Sequence, residues 1–151
     1  MRKTRYEIFP GVKIIVEYLS GNIDWSDYLE MKKQELSDPN YKPNFNVITD
    51  IRDVKNDKED LEGIENYVNF LNGNTSAIGQ RKTAILTDSS KQVVHSEILK
   101  HMIDNLPMDL KTVSTYHAAF EWTGLNYTAR GELCHYLEQL RMNSFAVAAS
   151  A

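Results

Sequence analysis

Apolar positions recur along the chain with two different periods, and the change of period separates predicted strands from predicted helices. Alternation through RYEIFP and GVKIIVEYLSG predicts two strands, and Pro10 with Gly11 between them predicts a tight turn. Helical spacing follows in NIDWSDYLEMKKQELSDP, with Asp24 and Asp27 placed as in a capping box and Pro39 at the end. The N-terminal part of the chain therefore predicts a hairpin followed by a helix.

The rest of the chain continues to alternate between the two patterns. Strands are predicted in FNVITDIR, KTAILTD and KTVSTYH, and helices in KEDLEGIENYVNFLNG, SSKQVVHSEILKHMIDNLP, HAAFEWTGL and YTARGELCHYLEQLRM. The segment NTSAIGQ is predicted to be a loop. This order predicts one α/β domain over residues 1–142: a single mixed five-stranded sheet, mostly parallel with an antiparallel N-terminal edge hairpin, with helices packed on it and an extra C-terminal helix. Residues 143–151, NSFAVAASA, are predicted to form a flexible tail.

Composition and charge narrow the range of partners. The 151 residues carry a net charge of -4, and an acidic chain lacks the basic face that a nucleic acid would need. The sequence has no window of about 18 apolar residues, so we expect no membrane span. The single cysteine, Cys134, can form neither an internal disulfide nor a multi-cysteine zinc site. These features predict a cytoplasmic protein with no nucleic acid partner.

Polar side chains follow the apolar part of three predicted strands. Asp50 and Arg52 end the third strand, Asp88 ends the fourth and His117 ends the fifth. If these strands are parallel, the four side chains meet at one edge of the sheet, where open α/β sheets bind ligands. Two carboxylates, a guanidinium and an imidazole could bind an anion or transfer a proton. In the alternative interpretation Asp50 forms an exposed pair with Arg52, and Asp88 caps the following helix, as carboxylates often do.

No motif for a cofactor, a metal or a nucleophile accompanies these residues in the sequence. The four histidines lack the spacing of a helical metal site, and DVKNDKEDLEG lacks the glycine and the final glutamate of a calcium loop. The sequence contains neither a glycine-rich phosphate loop nor G-x-S-x-G. Cys134 lies beside the apolar stripe of the last helix, which is typical of a buried or half-buried thiol. We therefore predict neither a cofactor nor a metal.

Four segments resemble the SpoIIAA-like proteins, small bacterial domains of the STAS type that are similar to anti-sigma factor antagonists: YEIFPGVKIIVEYLSGNID, NVITDIRDV, KTAILTDSS and HAAFEWTGL. The similarity covers about Tyr6 to Leu125 and implies the fold given above. In the antagonists, a serine of an Asp-Ser-Ser-Gly turn after the strand equivalent to NVITDIRDV is phosphorylated and controls partner binding. The corresponding segment here, KNDKEDLEG, contains no serine, threonine or tyrosine. Asp88, Ser89 and Ser90 follow the next strand, so the resemblance does not imply this switch.

The resemblance implies a regulatory ancestry, and we predict a non-enzymatic regulatory domain that binds an unknown protein or a small ligand. The alternative is an enzyme or an anion-binding site built on the four strand-end residues. A pocket lined by those side chains favours the alternative, whereas a flat edge with Asp50 paired to Arg52 favours the regulatory domain.

The last predicted helix carries Leu133, Leu137 and Leu140 on one face, which must be buried. We expect this face to pack either on the sheet of its own chain or on a second copy in a homodimer.

Overall fold

The computed structural model describes residues 3–55 and 60–150, and its strands form one sheet. The strands are β1 (Lys3–Phe9), β2 (Ile14–Gly21), β3 (Asn46–Val54), β4 (Arg81–Leu86) and β5 (Met108–Val113), in the order β1-β2-β3-β4-β5. β1 pairs with β2 in the antiparallel sense, and all other pairs are parallel. The predicted α/β fold with an antiparallel edge hairpin is confirmed.

The helices are α1 (Trp25–Leu36), α2 (Leu61–Asn72), α3 (Thr75–Ile78), α4 (Ser90–Met102), α5 (Tyr116–Thr123) and α6 (Tyr127–Ser150). Strands β2 to β5 lie side by side in chain order, so right-handed crossovers place their connecting helices on one face of the sheet. The core of that face joins Ile64 of α2 and Leu99 of α4 to Ile85 and Leu110 of the sheet. The sheet order has no reversal, so the crevice that binds ligands at a switch point in other α/β sheets does not form here.

Helices α5 and α6 cover the opposite face of the sheet. Phe120, Leu133 and Leu137 pack there against Val16 and Ile48. Since no crossover helix of the described part of the chain reaches this face, its apolar side chains need the C-terminal helices as a cover. The last helix thus packs on its own sheet, which is the first of the two expected burials. Its backbone continues to Ser150, so it includes most of the segment that we predicted as a tail.

Several element boundaries differ from those predicted. The loop predicted in NTSAIGQ contains the short helix α3. Strand β5 lies earlier than KTVSTYH, because the hydroxyl of Thr115 accepts a hydrogen bond from Ala118 N at 3.1 Å and starts α5. The placement of His117 at the end of a strand is therefore wrong, since it lies in the first turn of α5. The predicted start of α2 at 58–59 lies outside the described residues, and Asp60 caps the described helix.

Candidate functional site

One extra residue in β3 brings two carboxylates to the same side of the sheet. Tyr18 pairs with Asp50 and Ser20 pairs with Asp53, so two steps along β2 match three along β3. Such a bulge bends a strand and redirects its side chains. Asp50 and Asp53 would point to opposite faces of a regular strand. In this protein both carboxylates face the side of the sheet that α5 and α6 cover. Asp50 binds Arg52, which contacts Tyr116 of α5, and Asp53 binds Arg141 of α6.

The first carboxylate is held by Arg52. Arg52 Nε and Nη2 donate hydrogen bonds to Asp50 Oδ1 and Oδ2 at 3.0 and 2.8 Å, and Nη2 also donates to the Tyr116 hydroxyl at 2.6 Å. That hydroxyl donates to Glu138 of α6. The Asp50 side chain is 0% exposed and that of Arg52 is 11% exposed. The pairing is confirmed, but the expectation of an exposed pair is wrong. Although burial opposes the charge, the hydrogen bonds to Asp50 raise the pKa of Arg52 above its ordinary value.

The second carboxylate is held from the C-terminal helix. Arg141 Nε and Nη2 donate to Asp53 Oδ2 and Oδ1 at 3.0 and 3.1 Å, and the Tyr18 hydroxyl donates to Asp53 Oδ2 at 2.6 Å. Although burial opposes ionisation, the hydrogen bonds from Arg141 and Tyr18 lower the pKa of Asp53 below its ordinary value. A carboxylate stabilised in this way is a weak general base.

A cavity of about 610 Å³ opens beside these pairs, between the carboxyl end of β3 and helices α1, α2 and α4. Small-molecule sites in proteins have volumes of roughly 300–1,000 Å³. Its apolar lining includes Leu19, Ile23, Trp25, Ile51, Ile64 and Leu99. Its charged lining includes Arg52, Asp53, Asp60, Asp88, Lys91 and Arg141. The cavity thus combines an apolar surface with cations and anions, which suits an amphipathic small molecule.

Three charged side chains lie buried between α1 and the sheet. Lys32 Nζ is 3.0 Å from Glu17 Oε2 and 3.1 Å from Glu35 Oε1, and none of the three side chains is more than 5% exposed. Although burial opposes ionisation, the Lys32 charge lowers the pKa of Glu17. Burial and the Glu17 charge raise the pKa of Glu35 to about 8. At neutral pH the cluster therefore contains one carboxylate, one ammonium and one protonated carboxyl group, so its charges balance.

Two hydroxyl groups connect this buried cluster to the cavity. Thr49 Oγ1 donates to Glu17 Oε1 at 2.7 Å, and the Tyr28 hydroxyl donates to the same oxygen at 3.2 Å. Thr49 and Tyr28 also line the cavity, whereas Glu17 does not. The buried carboxylate is thus separated from the cavity by a single layer of side chains.

The structure brings the four predicted site residues together only in part. Asp50 and Arg52 are paired, Arg52 and Asp88 line the cavity, and His117 is exposed and lines no part of it. The expectation that Asp88 caps the following helix is wrong, because Ser89 Oγ accepts from Gln92 N at 3.3 Å and is the N-cap of α4. A ligand-binding role of the four residues stays a prediction.

Within the described ranges 3–55 and 60–150, no group of three or more histidine, cysteine, aspartate or glutamate side chains could hold a metal ion. No helix of these ranges has the length and apolar character needed to cross a bilayer.

Sequence reasoning missed the buried charges and the contact with α6. Lys32 and Glu35 lie seven and ten positions after Trp25, on the same side of α1 as its aromatic residues, so helical spacing was a usable signal for their burial. Glu17 interrupts an apolar strand in the same way. Arg141 gave no such signal, because its contact with Asp53 depends on how α6 docks.

Comparison with known proteins supports the fold. No protein-family model matches the chain, and no curated protein matches it in sequence. Among solved structures, the chain is similar to the crystal structure of an uncharacterized protein of the DUF3478 family from Shewanella loihica PV-4, which has a SpoIIAA-like fold. The two chains are 12% identical, and the match covers 82% of this chain and 95% of the other with a TM-score of 0.55. The expected SpoIIAA-like resemblance is thus confirmed at the level of the fold.

Proposed function

We propose that this protein is a non-enzymatic, cytoplasmic regulatory domain that binds a small amphipathic anion in the cavity beside β3. The observation that carries the proposal is the cavity itself, whose volume and apolar surface match those of ligand sites. A SpoIIAA-like fold is compatible with a role in regulation, and ligand occupancy would be the signal.

Arg52 is the residue that we assign to the anionic group of the ligand. Its Nε and Nη2 atoms hold Asp50 and Tyr116, while Nη1 makes no hydrogen bond within the described residues. The guanidinium is thus fixed by the protein and still has an amino group to offer. Fixed donors reduce the entropy cost of binding, because the side chain need not be ordered by the ligand.

The rival function, an enzyme at the strand ends, has weaker support. Asp50 and Asp53 are each held by an arginine through two hydrogen bonds, so their oxygen atoms are already engaged within the protein. Glu35 holds a proton at neutral pH but is buried between α1 and the sheet and does not line the cavity. An active site needs an acid or a base that a substrate can reach: Glu35 lacks that access, and Asp53, which lines the cavity, is held by Arg141 and Tyr18.

Extraction of bound small molecules tests the proposal. Protein purified from its native host without denaturation, then denatured and analysed by mass spectrometry, should release a stoichiometric organic anion. The Arg52→Lys variant keeps a cation for Asp50 but loses the second amino group, so it should release much less. Arg130→Gln is the matched control, because Arg130 pairs with Glu121 and does not line the cavity. Equal yields from the two variants, or no released anion from the wild type, would contradict the proposal.

A further inference from the structure

The hydrogen-bonding direction of two hydroxyl groups restricts which ligand groups one side of the cavity can accept. Thr49 and Tyr28 line the cavity, and both hydroxyl groups contact Glu17 Oε1, at 2.7 and 3.2 Å. Glu17 is fully buried and paired with Lys32. An ionised carboxylate only accepts hydrogen bonds, so each hydroxyl must give its single proton to Glu17. The oxygen atoms of Thr49 and Tyr28 then have only acceptor capacity left.

We infer that this side of the cavity selects a ligand that carries a hydrogen-bond donor, such as a hydroxyl group, at the end opposite its anionic group. The inference rests on the proposed function and specifies its ligand class. A ligand group that only accepts hydrogen bonds would face hydroxyl oxygens with no proton to share, and it would lose its water without compensation. A purely apolar end would leave the remaining lone pairs of Thr49 unsatisfied.

The positions of Thr49 and Arg52 on β3 limit the distance between the two polar ends of the ligand. Thr49 and Arg52 are three positions apart on β3. At roughly 3.3 Å per residue this separation is at most about 10 Å, because the bulge between Asp50 and Asp53 shortens the strand. A phenyl ring with a short carboxylate side chain spans about this length and fits the apolar lining between the two positions. Hydroxyaryl alkanoates therefore combine the anion, the apolar body and the donor in the required order.

Isothermal titration calorimetry with three matched probes tests the inference. The probes are 3-(4-hydroxyphenyl)propanoate, 3-(4-methoxyphenyl)propanoate and 3-phenylpropanoate, which present a donor, an acceptor and neither. One satisfied neutral hydrogen bond corresponds to about a fivefold change in affinity, so the hydroxyl probe should bind about fivefold more tightly than the other two. Thr49→Ser keeps a hydroxyl and should retain the preference, whereas the nearly isosteric Thr49→Val should abolish it.

Each outcome of the calorimetry either supports or overturns the inference. Preference for the hydroxyl probe in wild type and Thr49→Ser, but not in Thr49→Val, supports the inference. Equal affinities for the three probes in the wild-type protein overturn it and leave the proposed function standing. A preference that persists in folded Thr49→Val overturns the assignment to Thr49. Failure of all three probes to bind overturns the inference together with the proposed function for this class of anion.

Discussion

Arg141 and Asp53 are 88 positions apart in the chain and meet through two hydrogen bonds of 3.0 and 3.1 Å. The contact ties α6 to the end of β3, at a point where both residues line the cavity. The C-terminal helix therefore does more than cover the apolar face of the sheet, because it also fixes one edge of the candidate site.

Replacing Arg141 by alanine should lower the free energy of unfolding by about 1–3 kcal/mol, because Asp53 stays buried with fewer hydrogen-bond donors. Urea denaturation followed by circular dichroism measures this change. Arg130→Ala is the control, because Arg130 pairs with half-exposed Glu121 and with the Leu125 carbonyl, so its loss leaves no buried charge and should cost less than the loss of Arg141. An Arg141→Ala protein no less stable than Arg130→Ala would show that the contact does not hold α6 in place.

Shortening a buried leucine of α6 tests how the helix packs. Leu137 is 0% exposed, so Leu137→Ala should lower the free energy of unfolding by about 2–5 kcal/mol, whereas alanine at the exposed neighbour His135 should change it very little.

Truncation after Tyr127 should leave the sheet face uncovered, and light scattering should detect association of the truncated protein. A truncated protein that remains equally stable and unchanged in mass would contradict this packing.

The sheet was predictable because its signals are local. Pro10 and Gly11 mark the hairpin, Asp24 marks the start of α1, and apolar runs mark the strands. The sequential strand order also requires a cover for the second face, which agrees with the amphipathic pattern of the last helix. The predicted boundaries of β5 were wrong because Thr115 caps α5, so the residues after Val113 start a helix despite their β propensity.

The candidate site was predictable only in part because its geometry arises from tertiary contacts. Strict alternation separates Asp50 from Asp53, and only the bulge in β3 brings them to the same side. The exposed placement of His117 follows from the shift of β5. Lys32 and Glu35 are buried, whereas charged residues are usually exposed, because Lys32 pairs with both Glu35 and Glu17 inside the core.

The raised pKa of Glu35 gives stability a specific pH dependence. Between the ordinary value of 4.5 and about 8, the folded protein retains the Glu35 proton that the unfolded chain releases. Burial and the charge of Glu17 raise this value against the opposing effect of Lys32. Stability from this group should therefore be lost progressively as pH rises through that window.

Thermal unfolding of the wild-type and Glu35→Gln proteins between pH 5 and pH 8 measures how much Glu35 contributes to the pH dependence of stability. The variant should show a shallower decline of stability with rising pH, since its amide does not ionise. Glu30→Gln is the control, because Glu30 is exposed on the same helix and should preserve the wild-type slope. Identical slopes for all three proteins would contradict a proton held by Glu35.

Phosphorylation should not control this protein at the serine position used by the anti-sigma factor antagonists. The corresponding segment KNDKEDLEG has no residue that a serine or tyrosine kinase could modify. Ser89 is exposed, but its hydroxyl caps α4. Mass spectrometry of protein from its native host should find no stoichiometric phosphate, and phosphate on Ser89 or Ser90 would show that the wrong loop was assigned.

Trp25 fluorescence tests the proposed binding of an amphipathic anion most directly. The chain has two tryptophans, of which Trp25 lines the cavity and Trp122 does not. Titration of 3-phenylpropanoate into the Trp122→Phe variant should give a saturable change in tryptophan emission, while the Trp25→Phe variant should show none. A flat titration in the Trp122→Phe variant, or the same change in both variants, would contradict binding in this cavity.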